Sequence, residues 1–160
     1  MIITYQGQNY DIINWNDFRD KLLSAIGFEL AIAIRQEIDR QGLVATAQFR
    51  QGVHTEIQNG ELLITNVQPY AVFVEYGSIG TEKGVTDPYG EGSRGARERK
   101  APPIGELKDW AKRRGIENVW ALAKHIQRYG TPAFAPYRRV MYNENKMGQI
   151  ITKAVGSATK

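Results

Sequence analysis

The amino-acid sequence predicts an α+β fold: a small antiparallel sheet packed on a long N-terminal helix and a C-terminal helix, with an inserted helical pair and a long flexible loop. Three observations predict it. Apolar residues recur at helical spacing over 17–41, two strand-like runs flank Asn59-Gly60, and helical spacing returns from about residue 137. At 160 residues the chain suits one domain. Its core is expected at about 1–76 and 131–156, with the loop at 77–101 and the helical pair at 102–130.

The first residues, MIITYQGQNYDI, alternate loosely around Gly7 and read as a short hairpin or edge strand. Asn16 or Asp17 then offers a helix N-cap, because its side-chain oxygen can accept from a free backbone N–H. Leu22, Leu23, Ile26, Leu30, Ala33 and Ile34 follow at helical spacing, and Gly42 provides the stop. A helix over 17–41 is roughly 37 Å long at ~1.5 Å per residue. Phe28 and Ile32 fall almost opposite its main apolar stripe. A helix apolar on two sides is buried on two sides, so the C-terminal helix or another subunit must supply the second cover.

VHTEIQ (53–58) and ELLITNV (61–67) flank Asn59-Gly60, a dipeptide suited to the positive φ angles of a type I′ turn. His54 has no second histidine at metal-ligand spacing. PYAVFVEYG (69–77) has two readings. As a strand it puts Tyr70, Val72, Val74 and Tyr76 on one face; as a short helix it groups Tyr70, Phe73 and Val74. Gly77 ends either version.

Residues 77–101, GSIGTEKGVTDPYGEGSRGARERKA, hold six glycines and mixed charge, a composition that builds no packed core. Arg94, Arg97, Arg99 and Lys100 concentrate positive charge against Glu98 and mark a candidate docking loop. So long a structureless loop is uncommon inside a domain unless it is functional or disordered. It is no phosphate cradle, since it lacks a Gly-Lys-Ser/Thr ending.

After Pro102 and Pro103, Ile104, Leu107, Trp110 and Ala111 make one face of a short helix, with Lys108, Lys112, Arg113 and Arg114 largely opposite. A second helix, 117–129, aligns Val119, Leu122, Ala123 and Ile126 and stops at Gly130. TPAFAPY reads as extended, because proline disfavours the helical region for the residue before it. The last helix, from about 137, carries Tyr137, Val140, Met141, Met147, Ile151, Ala154 and Val155.

Composition narrows the chemistry. With no cysteine, thiol catalysis, cysteine-based zinc sites and iron–sulfur clusters are excluded. Two histidines make a catalytic triad improbable. Ser24, Ser78, Ser93 and Ser157 lack a nucleophile-elbow context, and Glu56 and Glu61 sit too near an exposed turn to act as a buried acid pair. No catalytic residues, cofactor or metal are expected. MIITYQGQNYDI shows neither a basic start nor an apolar core, so no signal peptide is expected, and no apolar stretch approaches the ~20 residues of a membrane span. A net charge of +4 permits contact with DNA or an acidic surface without demanding either. The pair of helices at 104–129 invites a helix-turn-helix reading, but Glu117, Asn118, Lys124, Gln127 and Arg128 form a poor base-reading set. Tyr70, Phe73, Tyr76, Phe134 and Tyr137 cluster around two short motifs and serve either as core or as subunit interface.

Three motifs in order carry a resemblance. Tyr70-Ala71-Val72-Phe73-Val74-Glu75-Tyr76-Gly77-Ser78 resembles a signature of the tail-completion, or head-to-tail joining (neck), proteins of long-tailed bacteriophages. Upstream, residues 42–52 are similar to that family's connector between first helix and sheet, with Ala47 and Phe49 in place of the usual glycine and leucine. Downstream, Pro132-Ala133-Phe134-Ala135-Pro136-Tyr137 is similar to its Pro-Phe-x-x-Pro entry into the final helix. The customary arginine is missing at Ala135, although Arg138 and Arg139 follow.

The resemblance implies a non-enzymatic α+β virion protein, a homo-oligomeric ring subunit, often in sixes, between head connector and tail. Such a ring adjoins connector or head-completion proteins on one side and tail-terminator or tail-tube proteins on the other, and DNA passes through without sequence-specific contact. Phe28, Ile32, Tyr70, Phe73, Glu75, Tyr76, Phe134 and Tyr137 are then the candidate ring interface. On the same reading the loop 77–101 is disordered in the free subunit and becomes ordered on docking. A tail-terminator or minor tail role, a non-specific DNA-binding protein using the basic loop and helix end, and a small hydrolase or toxin-like enzyme are the alternatives.

Overall fold

The computed structural model describes residues 2–5, 7–12, 14–43, 47–82, 87–89 and 104–159. In chain order these form β1 (Ile2–Tyr5), β2 (Gln8–Asp11), α1 (Trp15–Arg40), α2 (Ala47–Gln51), β3 (Val53–Gln58), β4 (Glu61–Asn66), α3 (Ala71–Tyr76), α4 (Ile104–Arg113), α5 (Val119–Tyr129), α6 (Pro136–Met141) and α7 (Glu144–Ala158). The architecture is α+β, with the antiparallel pair β3–β4 packed against the long α1, and α7 running along the same helix.

Helix α1 begins earlier than Asn16 or Asp17. Asn14 is the cap: its backbone is extended, and its side-chain oxygen accepts from the N–H groups of Asn16 (3.1 Å) and Asp17 (3.3 Å). Asp17 therefore lies inside the first turn, where its charge suits the helix dipole. The stop at Gly42 is as expected. Gly42 has φ +64°, its N–H donates to the Asp39 carbonyl, and the Leu43 N–H reaches back to Ile38, which closes a Schellman motif.

Asn59 and Gly60 both have positive φ, and six residue pairs from Val53↔Asn66 to Gln58↔Glu61 make the predicted hairpin. Its inner face, Val53, Thr55 and Ile57, turns toward α1, while His54, Glu56 and Gln58 are exposed. Gly27 permits the close approach: a Cβ there would lie 2.9 Å from the Leu62 side chain and 3.2 Å from that of Thr55.

The connector after α1 holds a helical turn, α2, that sends Phe49 into the core. There it meets Leu30, Ile34, Ile38, Val53, Val140 and Ile150, with its ring 5.7 Å from that of Tyr70. Truncating any one of these large buried side chains to alanine costs about 2–5 kcal/mol.

The segment 71–76 is the helix rather than the strand. The last helix divides: α6 starts at Pro136, and Asn143 caps α7 by accepting from the Lys146 N–H. Both faces of α1 find cover within the chain, from β3–β4 on one side and α6–α7 on the other. That cover stops short of Phe28, which stays 64 % exposed, and leaves Ile32 half-buried.

Candidate functional site

The two motifs 70–78 and 132–137 lie about sixty residues apart in sequence and meet in space. Helix α6 opens with Ala135 in the left-handed region (φ 51°, ψ 47°) and has no cap of its own. The cap comes from α3. Glu75 accepts from the backbone N–H groups of Tyr137 (3.0 Å) and Arg138 (3.1 Å), one to each carboxylate oxygen. The same carboxylate takes the Arg138 Nε at 2.9 Å, and the Arg138 Nη2 donates to the Glu75 backbone carbonyl at 2.6 Å. One acidic side chain thus starts a helix and holds that helix's arginine.

Arg138 is buried, and a second acid faces it. Its Nη1 donates to Asp87 at 2.8 Å, and both side chains are 2 % exposed. The guanidinium lies 4.4 Å from the ring centre of Tyr76 and 5.3 Å from that of Tyr89. Tyr89 in turn meets Tyr142 edge-on. Burial alone lowers the affinity of a guanidinium for its proton, but the hydrogen bonds it donates to Asp87 and Glu75 more than reverse that, so Arg138 stays charged. Nearby, burial pushes the Tyr137 hydroxyl above its ordinary pKa, and Asn66 opposes the shift by donating to its oxygen at 3.0 Å. Among the described residues no buried side-chain polar atom lacks a partner. The cluster is a closed clasp whose donors and acceptors are committed to one another.

Asp87 and Tyr89 belong to the stretch expected to be structureless. Residues 77–82 and 87–89 are instead held by the core. Ser78 and Thr131 exchange backbone hydrogen bonds and join their hydroxyls at 2.9 Å. Further on, the N–H groups of Thr81 and Glu82 donate to the last turn of α5, and Glu82 pairs with Arg128 at 2.8 Å. Gly80 and Gly130 make this approach possible, since a Cβ on either would overlap backbone across the contact. Docking-loop residues Arg94, Arg97, Arg99 and Lys100 lie outside the described residues.

The interface candidates separate by burial. Phe28 is on the surface, and Phe134 is 36 % exposed. Ile32, Phe73 and Tyr76 are half-buried, Tyr76 beneath the Arg138 guanidinium. Tyr70 and Tyr137 pack against the core cluster. Glu75 is buried and turns both carboxylate oxygens to groups of its own chain. Sequence reading missed Asp87 and the roles of Asn66 and Arg138. Arg138 had a signal, the arginine absent at Ala135; Asp87, in a run of mixed charge, had none.

A groove of about 460 Å³ runs between α1 and β3, with Phe28 and Arg35 on one wall and Thr55 and Ile57 on the other. Its lining brings together no pair of carboxylates at hydrogen-bond distance, and among the described residues no three His, Asp or Glu side chains gather as metal ligands. No helix of the described residues is long and apolar enough to cross a membrane. The chain matches no family model, and no curated protein or solved structure is significantly similar to it.

Proposed function

We propose that the chain is a non-enzymatic structural subunit of a tailed phage, part of a closed ring, sixfold by the resemblance, that joins head connector to tail in the virion. The observation that carries the reading is the Glu75 bridge. The segments that resemble neck proteins are one physical unit, with the acid of the first capping and charge-pairing the helix opened by the second. Exposed apolar side chains are available for assembly: Phe28 is 64 %, Trp120 69 % and Val72 47 % exposed.

The test is genetic and visual. Inactivating the reading frame in the phage that encodes it is expected to leave filled heads and free tails, seen by electron microscopy. Joined particles at normal yield would remove the reading. The exposed Lys108, Lys112 and Lys124 on α4–α5 favour a second one, non-specific DNA binding. Duplex affinity that falls steeply with salt would support it, and a chain absent from particles would then make it the better of the two.

A further inference from the structure

Among the described residues, the elements outside the hairpin β1–β2 pack little against it. Its strands pair with each other and share almost nothing with any other described element. It joins the body at Ile12, which packs with Phe18 and Ala158 at the ends of α1 and α7. A two-stranded hairpin alone is marginal in water and gains from a third strand or a packed face. Ile2, on its outer strand, is 68 % exposed.

The β3–β4 hairpin has the complementary lack. The hydrogen bond from the Val67 N–H to the Gly52 carbonyl fixes the phase of the ladder. Given the register, His54↔Thr65 and Glu56↔Leu63 are then the doubly bonded pairs, and Thr55 and Ile57 point their N–H and C=O groups to the outer edge of β3. Among the described residues no protein group bonds to them. Arg35 covers the edge one step earlier, donating to the Val53 carbonyl at 2.8 Å. Beside the open positions lies the groove, with Phe28 on its α1 wall.

Strand β1 has the matching edge. Tyr5 pairs with Gln8 only three positions on, and in hairpins so closely connected the closing pair is doubly bonded; Ile3↔Tyr10 is then the next such pair, and Ile2 and Thr4 turn their backbone groups outward. The opposite edge, on β2, bears Asn9 and Asp11, types depleted in strands, whereas β1 reads Ile-Ile-Thr-Tyr.

We infer that β1 of one copy adds as a third strand to the outer edge of β3 in a neighbouring copy, with Ile2 against Phe28. The contact is heterologous, arm on one side and groove on the other, which is the kind that generates rings. A four-residue strand covers well under the roughly 1,200 Å² of a stable two-body interface, so the contact is weak between two copies. It holds once a closed circle lets every copy both give and receive a strand. The inference rests on the ring reading and specifies the surfaces that close it.

The absence of cysteine makes the test clean. Full-length Thr4→Cys and Ile57→Cys variants, whose side chains share the groove face with Ile2 and Phe28, are mixed and treated with a short bismaleimide, whose reach spans neighbouring registers. Mixed dimers are expected at least tenfold above those from Thr4→Cys mixed with Ser157→Cys. Ile2→Cys mixed with Ile57→Cys is expected to link as well, and adding Thr4→Pro to the Ile2→Cys chain is expected to return that yield to background, because proline removes an outward donor and spares the β1–β2 ladder. Background yield in the first mixture overturns the inference, as does a Thr4→Cys/Ile57→Cys double variant that links only within single chains. Failure here beside a ring in phage particles would leave the proposed function standing, and specific links in a protein absent from particles would do the reverse.

Discussion

Replacing Glu75 tests the clasp directly. Glu75→Ala leaves two backbone N–H groups at the start of α6 without acceptors and leaves buried Arg138 with Asp87 as its remaining side-chain acid. Losing a helix cap costs about 1 kcal/mol, and removing one partner of a buried ion pair costs about 3–5 kcal/mol. Because Asp87 retains half of the charge compensation, the lower part of that range applies, about 3–4 kcal/mol in total. For a chain of this size that lowers the melting temperature by roughly 6–16 °C. Urea unfolding followed by circular dichroism measures the loss.

Glu75→Gln and Arg138→Met, singly and together, then give the coupling. At least about 1.5 kcal/mol is expected if the two side chains act as one unit, since residues in a shared network depart from additivity by about 0.5–3 kcal/mol. A Glu75→Ala loss below about 1 kcal/mol, or additivity within about 0.5 kcal/mol, would refute the clasp.

Three further outcomes are expected. Hydrogen bonds from Arg40, with help from Gln41 and Lys146, hold the Glu37 carboxyl at about 2 against an ordinary 4.5, despite its burial. Its stabilisation is therefore complete above pH 4.5 and is lost as pH falls toward 2; Arg40 and Lys146 are solvent-exposed, so about 1–2 kcal/mol is expected, and Glu37→Gln should flatten acid unfolding in that window. Gly130→Ala, which combines positive φ with a clash at the Ser78 carbonyl, should free residues 78–82 from α5, seen as faster amide exchange there while the amides of α1 stay protected. Phe28→Ser should change monomer stability by less than about 0.5 kcal/mol, as exposed positions do, yet abolish incorporation into particles; unchanged incorporation would remove Phe28 from the ring contact.

Local chemistry determined much of this molecule. Asn59-Gly60 dictated its turn because positive φ is affordable there, Gly42 ended α1 for the same reason, and helical spacing placed α1, α5 and the C-terminal helix. Where two local solutions competed, sequence alone could not choose. AVFVEY has both periods within six residues, and it became a helix because Glu75 then reaches the open end of α6. Asn14 prevailed over Asn16 and Asp17 through backbone geometry that composition does not encode. The clasp was the least legible part, since Asp87 and Arg138 lie fifty-one residues apart and Asp87 sits in no pattern. Burying an arginine is favourable only where acceptors from distant segments converge, and convergence is a property of the folded chain. The sequence supplied the charges and the stops; the tertiary structure decided which charges meet and which apolar side chains, Phe28 foremost, are left facing outward.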